Sequence, residues 1–404
     1  MTQTSLQDLS FNYFPDNYRW SHGLLLALNN APWGGSEIGE VNRVGLRLMD
    51  RLGDDEAWFR EWAAQAEHVE RMGRDRLAAG YRRSAAGYLL RASCYYHVGE
   101  RFLTPKTAES DAAYRSGVDC FRDAAGLTDR PRIESVEIPY EGGSLPALYV
   151  HAENTTAGTP GPAMVYFDGF DITKELQYLK GVRDLAERGI ACLIVDGPGN
   201  GEAIRFRGLP LHHETERYAT PAYEWLATRD EIDADRIGVM AISLGGYYAP
   251  RAAAFEPRFA CCVAWGAQWD YHATWVRRLE RIDRSDNPAL SVPWHHLLWV
   301  LGVNTREEAL TALRSYRLDG VVQRIERPFL LLHGEGDEQI PLADAQACFD
   351  AVGSKDKTLR LFTREEGGYH HCQIDNLSIG VAAMWDWIED KLHGEQADDR
   401  KGQQ

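Results

Sequence analysis

The seven cysteines of this sequence are scattered: only Cys261 and Cys262 lie close together, and no Cys-x-x-Cys spacing occurs. That pattern argues against both a disulfide framework and a structural zinc site. Positive charge is also scarce, with 44 Lys and Arg against 60 Asp and Glu, a formal net charge of −16 over 404 residues. A nucleic-acid binder needs a basic face for phosphates, so no nucleic-acid partner is expected. Attraction to an anionic membrane is disfavoured as well. No apolar run approaches the ~18–20 residues of a membrane span. The opening stretch Met1–Trp20 lacks the basic start and apolar centre of a signal peptide. The expectation is a cytoplasmic protein with free thiols. The pairs His212-His213 and His295-His296 have no metal-ligand spacing, so neither a metal nor a cofactor is expected.

What the chain does contain changes texture near residue 131. Before it, apolar residues recur at helical spacing, as in Val41, Val44 and Leu48, then Trp58, Trp62, Ala66 and Val69, with no convincing period-2 strand. The simplest reading of the aromatic stripe is a helix–helix core. After the Pro-containing junction Leu127–Arg132, short apolar strands alternate with helical stretches, the pattern of a largely parallel α/β sheet. Strands are expected at Ile133–Ile138, Leu145–His151, Ala163–Phe167, Ile190–Val195, Arg236–Ile242, Ala260–Trp265, Phe329–Leu332 and Thr358–Phe362. The first two should form an antiparallel pair. Helices are expected over Glu175–Arg188, Glu214–Thr228 and Leu377–Leu392. The Trp-rich connection after Trp265 is too long for an ordinary crossover and reads as an inserted helical cap. The expected organisation is a helical N-terminal domain over 1–131, a core over 132–265, a cap over 266–327, the rest of the core over 328–395 and a polar tail over 396–404.

The strongest chemical signal is Arg236–Gly246, where a strand runs into Ser243, then two glycines, then helix-compatible residues. This is the strand–turn–helix setting of a nucleophile elbow, whose turn demands small residues two positions either side of the Ser. Here they are Ala241 and Gly245. The Leu244 N–H, at the start of the following helix, is then placed to bind a developing oxyanion. A nucleophilic Ser needs a base, and the base an orienting acid, in the chain order Ser, acid, His. The turn after Phe329–Leu332 offers Asp337, with Glu335 and Glu338 as neighbours. After the last strand, His370 and His371 compete as base. A second oxyanion donor is expected from the Asp168-Gly-Phe170 loop: Gly169 permits close approach and Phe170 supplies the N–H. The glycine-rich Asp196–Glu202 lacks the Lys-Ser/Thr of a phosphate loop and reads as a loop at the rim of the sheet.

These motifs resemble the α/β-hydrolase superfamily. More narrowly, they are similar to the branch that holds 2,6-dihydroxypseudooxynicotine hydrolase and the fungal yellowish-green-1 polyketide-shortening hydrolases. The carriers are Asp196-Gly-Pro-Gly-Asn-Gly-Glu202, Ser243-Leu-Gly-Gly-Tyr-Tyr248, Arg251–Arg258, Trp265-Gly-Ala-Gln-Trp-Asp270 and Gly367-Gly-Tyr-His-His-Cys-Gln373. The resemblance implies an α/β-hydrolase fold: a mostly parallel eight-stranded sheet flanked by helices. It selects His371 as base, because branch members carry a His immediately before Cys-Gln. It further implies a homodimer that hydrolyses a carbon–carbon bond in a small aromatic or polyketide-derived ketone through an acyl-serine. Tyr247, Asp270 and His370 are candidates to protonate or orient the leaving carbon, and Gly169 and Trp269 complete the candidate substrate-binding set. A Ser esterase, amidase or acyl-peptidase is the alternative, and a non-hydrolytic lyase or cyclase a third. The pocket is expected to be neutral and aromatic, with the acid surplus on a solvated exterior.

Overall fold

Five helices come first: α1 (Tyr18–Leu28), α2 (Ile38–Leu48), α3 (Asp55–Ala78), α4 (Arg82–Glu100) and α5 (Ala108–Leu127). The computed structural model describes residues 11–156, 158–170, 172–284 and 290–394, so the polar tail expected at 396–404 lies outside the described residues. At the starts of α1, α3 and α5 a side chain satisfies an otherwise orphaned N–H. Asn17 accepts from the Trp20 N–H, Asp54 from the Ala57 N–H, and Thr107 pairs with Ser110 in a reciprocal box. The aromatic stripe is core, as its spacing suggests. Trp20, Trp58, Trp62 and Tyr95 are fully buried, with successive ring centroids 5.2–5.7 Å apart, the range of favourable aromatic packing.

The sheet has eight strands in the order β1-β2-β4-β3-β5-β6-β7-β8: β1 (Ile133–Tyr140), β2 (Gly143–Val150), β3 (Gly161–Phe167), β4 (Ala191–Val195), β5 (Ile232–Ile242), β6 (Cys262–Trp265), β7 (Phe329–Gly334) and β8 (Lys357–Phe362). Only the β1–β2 and β2–β4 pairings are antiparallel. The β1–β2 register opposes Tyr140 to Gly143, leaving Glu141 and Gly142 as a two-residue loop with both φ values positive, the geometry that matches strand twist. β4 and β7 are buried along their whole length, which is why they read as continuous apolar runs.

Helices flank both faces. The expected helix over 175–188 is two: α6 (Lys174–Tyr178) and α7 (Val182–Glu187). Gly181 breaks them with φ +81°, and a Cβ there would sit 2.6 Å from Val381 Cγ1. The rim loop at 196–202 is a loop only to Asn200, where α8 (Gly201–Arg207) begins. Next come α9 (Glu216–Ala227) and, directly after Ser243, α10 (Gly245–Phe255). Among the described residues, three α-helices occupy the long connection between β6 and β7: α11 (Tyr271–Ile282), α12 (His295–Leu301) and α13 (Arg306–Leu313). Then α14 (Leu342–Ala351) and α15 (Leu377–His393) complete the chain. All seven cysteines are buried and free. No helix among the described residues is long and apolar enough to cross a membrane.

Buried charge joins the helical region to the sheet. Glu100, at the end of α4, accepts from Arg205 of α8 at 2.5 Å and from Lys106 at 2.6 Å. Burial works against its carboxylate, but these two cations hold its pKa down at about 2. Breaking such a pair from one side would leave an uncompensated buried charge.

Candidate active site

β5 delivers Ser243 at its C-terminal end with φ +61°, a strained conformation for a non-glycine residue that lifts the hydroxyl clear of the sheet. The small neighbours are a steric necessity. A Cβ on Gly245 would lie 2.4 Å from Ala241 Cβ, and one on Gly246 would lie 1.6 Å from the Gly266 carbonyl oxygen. Strand end and helix start can therefore close round Ser243 only with these residue types.

β7 and the loop beyond β8 bring the other two groups. In the tautomer that acts as a base, Ser243 Oγ–H donates to His371 Nε2 at 2.8 Å, and His371 Nδ1–H donates to Asp337 Oδ2 at 2.7 Å. The second Asp337 oxygen accepts from the Gln339 and Ile340 N–H groups at 2.7 and 2.9 Å, so its orientation is locked. The His371 loop is pinned as well: Cys372 and Gln373 hold positive φ, and Gln373 Oε1 accepts from Trp265 Nε1 at 2.7 Å. Both Asp337 and His371 are buried. Burial opposes the imidazolium, but the Asp337 carboxylate outweighs it and raises His371 to about 10. Burial likewise opposes the Asp337 carboxylate, yet His371 holds it below its ordinary value.

The sign for activity follows. A raised His pKa keeps the proton on, so the neutral base appears only as pH rises through that value. The ascending limb of kcat/KM against pH is expected above the ordinary histidine value of about 6.5. A pH–rate profile whose limb lies at or below 6.5 would contradict this electrostatic assignment.

The loop after β3 lies against the nucleophile. A Cβ on Gly169 would stand 2.9 Å from the Ile242 carbonyl oxygen and 3.2 Å from Ser243 Cβ. Asn200 Nδ2 donates to the carbonyls of Gly169 at 2.5 Å and Ile172 at 3.3 Å, fixing this loop from below. Asn200 belongs to the glycine-rich stretch read as mere rim, so its positioning role was missed. The Phe170 ring packs against Trp275 of α11 and His296 of α12, with centroids 5.8 and 5.2 Å apart. Leu244 stands at the start of α10.

Of the two histidines, the structure brings His371 to Ser243. His370 instead stacks on Tyr369, centroids 4.1 Å apart, and lines no part of the cavity at Ser243. Three other residues of the expected substrate-binding set also sit elsewhere. Tyr247 points its hydroxyl at the His213 carbonyl, 2.8 Å away. Asp270 spends its carboxylate capping α11 through the Ala273 N–H and facing Arg317 at 3.6 Å. The Trp269 carbonyl accepts from Leu318 N–H, and its side chain is absent from the cavity lining among the described residues. Asp270 is taken by its own helix start, whereas Tyr247 is drawn to a carbonyl distant in sequence, which strand–loop–helix order does not reveal.

The cavity over Ser243 and His371 is walled by α1 through His22 and Leu26, by Asn29 capping the end of α1, by Arg101 just after α4, and by Lys180 just before the break at Gly181. The expectation of an aromatic pocket is therefore corrected: among the described residues Arg101 and Lys180 line it, and no aromatic ring other than histidine does. The helix break turns Lys180 inward, and the Glu100 anchor places Arg101; neither was visible as a motif. α1 also ties both catalytic-side loops together. Asn29 Nδ2 donates to the Ile374 carbonyl at 2.6 Å beside His371, and Gln339 Nε2 donates to Tyr18 Oη at 3.4 Å beside Asp337.

With this geometry in place, comparison with known proteins is decisive. The model of the prolyl oligopeptidase family matches residues 177–395, which includes Ser243, Asp337 and His371. The chain belongs to this family. Like other α/β hydrolases, this prolyl oligopeptidase family member is a hydrolase, and its relatives extend over the helical region too. Hydrolase acrC of Aspergillus aculeatus is 30% identical over 95% of this chain and 98% of its own length. The 20-hydroxy-prefusarin hydrolase of Gibberella moniliformis is 28% identical over 90% of this chain and 94% of its own. The crystal structure of 2,6-dihydroxy-pseudo-oxynicotine hydrolase superposes with a TM-score of 0.74 at 25% identity, covering 90% of this chain and 95% of that one. The recognised branch and the fold are thus both found.

Proposed function

We propose that this protein is a serine hydrolase that cleaves a carbon–carbon bond beside a ketone in a small aromatic or polyketide-type substrate. The observation that carries the nucleophilic part is the continuous Ser243–His371–Asp337 hydrogen-bonded line at the floor of the cavity. Support for carbon–carbon cleavage comes from the resemblance of its motifs to the branch named above. The near full-length likeness to 2,6-dihydroxy-pseudo-oxynicotine hydrolase, helical region included, adds to it.

In this reading His371 takes the Ser243 hydroxyl proton as the oxygen attacks the ketone carbon. The N–H groups of Leu244 and Phe170 hold the resulting oxyanion. The carbon–carbon bond then breaks, with its electron pair leaving as an enolate or phenolate tautomer that receives the proton from His371. Water, deprotonated by His371, hydrolyses the acyl-serine and releases an acid. Residues 266–327 act as a cap that holds the Phe170 loop in place. The family match itself favours one second reading, cleavage of an ester or amide by the same three residues.

A panel separates the two: 1-phenyl-1,3-butanedione, a short-chain p-nitrophenyl ester and an aryl amide. Carbon–carbon hydrolysis predicts release of a carboxylic acid and a ketone from the diketone at a kcat/KM at least equal to that for the ester. Rapid ester or amide turnover with an untouched diketone would overturn it.

A further inference from the structure

A cluster of buried acids that the reaction scheme above does not use lies beside the loop after β3. Lys174 Nζ donates to Asp196 Oδ2 at 3.0 Å, to Glu175 Oε1 at 2.7 Å and to Glu202 Oε1 at 2.6 Å. An ammonium has three N–H donors, so all of them are spent. Asp196 accepts twice more, from the Lys174 backbone N–H on Oδ1 and the Glu202 backbone N–H on Oδ2, both at 2.9 Å. A fourth acid, Asp168, lies in the same cluster with its carboxyl against that of Asp196. It is only 1% exposed. Neither of its oxygens meets an N–H or O–H donor among the described residues.

A carboxylate buried without a donor is costly, so a carboxyl in that position keeps its proton. Once protonated it is itself a donor, and the acceptor beside it is Asp196. Burial, followed by the Asp196 charge, pushes Asp168 well above the usual carboxylate range. Burial opposes the Asp196 carboxylate too, yet Lys174 holds it below its ordinary value. One proton therefore serves the pair and sits on Asp168, in a charge-assisted acid-to-carboxylate hydrogen bond. Its place in the chain gives this bond a task. Asp168 immediately precedes Gly169 and Phe170. Its carbonyl oxygen abuts the nucleophile elbow, where a Cβ on Gly245 would stand 3.4 Å away. Its side chain reaches to Asp196, the residue that follows the end of β4. Asn200 holds the other side of the same turn through the Gly169 and Ile172 carbonyls.

We propose that Asp168 is a positioning residue of the oxyanion site: as an undissociated acid it donates its carboxyl proton to Asp196, and so fixes the turn from which Phe170 presents its N–H to the oxyanion. This rests on the hydrolase reading above, because it needs an oxyanion formed by attack of Ser243, but not on which bond is then cleaved. Asp168 acts through the turn and not on the substrate; among the described residues it is absent from the lining of the cavity over Ser243. An amide N–H can take the place of the carboxyl O–H, so Asp168→Asn keeps the bond to Asp196. Asp168→Leu has the same branched shape and no donor, so it loses the bond.

Two measurements on the full-length protein test the two halves of this inference. The first is the infrared difference spectrum between the unsubstituted protein and Asp168→Asn at neutral pH. It should contain the C=O band of an undissociated carboxylic acid; a difference showing only carboxylate bands would overturn the proton. The second uses 2,2,2-trifluoroacetophenone, which adds to a reactive serine as a hemiketal whose charged oxygen occupies the oxyanion site. Fluorine NMR follows the adduct and gives its Kd. Asp168→Leu should weaken the adduct tenfold or more, and Asp168→Asn should stay within threefold of the unsubstituted protein. On whichever member of the ester, amide and diketone panel turns over, Asp168→Leu should lower kcat tenfold or more with KM changed less than threefold. A merely structural role would lower the melting temperature and leave the adduct affinity of the folded protein unchanged. Thermal melting establishes that each variant is folded, and if Asp168→Leu is not, Asp168→Ala takes its place. An adduct as tight without the donor as with it, or one weakened tenfold by Asp168→Asn, would overturn the positioning role. Absence of any adduct in the unsubstituted protein would sink the serine reading and the positioning role with it, whereas a normal adduct beside an uncleaved diketone would sink only carbon–carbon cleavage.

Discussion

Ser243→Ala is expected to lower kcat/KM by roughly three orders of magnitude or more, with the protein folded as before. The hydroxyl is the only group in the line that can become a covalent nucleophile, and the strained φ of residue 243 is tolerable to Ala no less than to Ser. His371→Ala and Asp337→Asn should each cause losses of similar order, and the double variants scarcely more than the single ones, because the three residues act as a unit. His370→Ala serves as the internal control: its ring stacks on Tyr369 rather than reaching Ser243, so its loss should be far smaller. Steady-state kinetics on purified variants measure all four. Activity retained by Ser243→Ala would remove the acyl-serine and favour a lyase or cyclase; a dead His370→Ala beside an active His371→Ala would reverse the base assignment.

Removing residues 1–130 should abolish turnover. The helical region is not an independent appendage. It supplies one wall of the cavity and the Arg101 cation, buries Glu100 against Arg205, and hydrogen-bonds the loops bearing Asp337 and His371. A truncated chain would leave Arg205 without its buried partner and the α1-facing surface exposed to water. A gentler version isolates the positioning effect. Asn29→Ala removes the donor to the Ile374 carbonyl, and a small displacement of His371 should lower kcat by about tenfold to a hundredfold with little change in Tm. A soluble truncate with full activity on the diketone or ester panel would refute both expectations.

Much of this arrangement was legible from residues alone, and the reasons are local. The strands were readable because β4 and β7 are buried on both sides and carry unbroken apolar runs. Ser243 was readable because a nucleophile elbow imposes steric demands on Ala241 and Gly245 that few other turns share. Asp337 followed from chain order. The choice of His371 over its neighbour needed the resemblance, since two adjacent histidines are indistinguishable by spacing. What escaped notice depends on contacts between segments distant in sequence. Gly181 interrupts a pattern that looks continuously helical, because its left-handed backbone makes room for Val381 and accepts from Trp385. Asn200 acts through carbonyls some thirty residues away. Arg101 and Lys180 converge on the cavity only where the helical region meets the sheet-flanking helices, so no local pattern pairs them.

The burial of every thiol provides a built-in probe of breathing motions. Cys94 and Cys120 lie in α4 and α5, Cys192 and Cys262 in β4 and β6, Cys348 in α14, and Cys372 lines the cavity. Burial raises the thiols of Cys94 and Cys348 to about 12, so neither access nor ionisation favours attack by an alkylating reagent on the closed form. Any alkylation therefore records a transient opening at that address. Mass-spectrometric readout of each cysteine over time would resolve whether the helical wall loosens ahead of the sheet. The Cys372 rate, compared with and without an occupant, would report the residence of a molecule above Ser243 without requiring that it react.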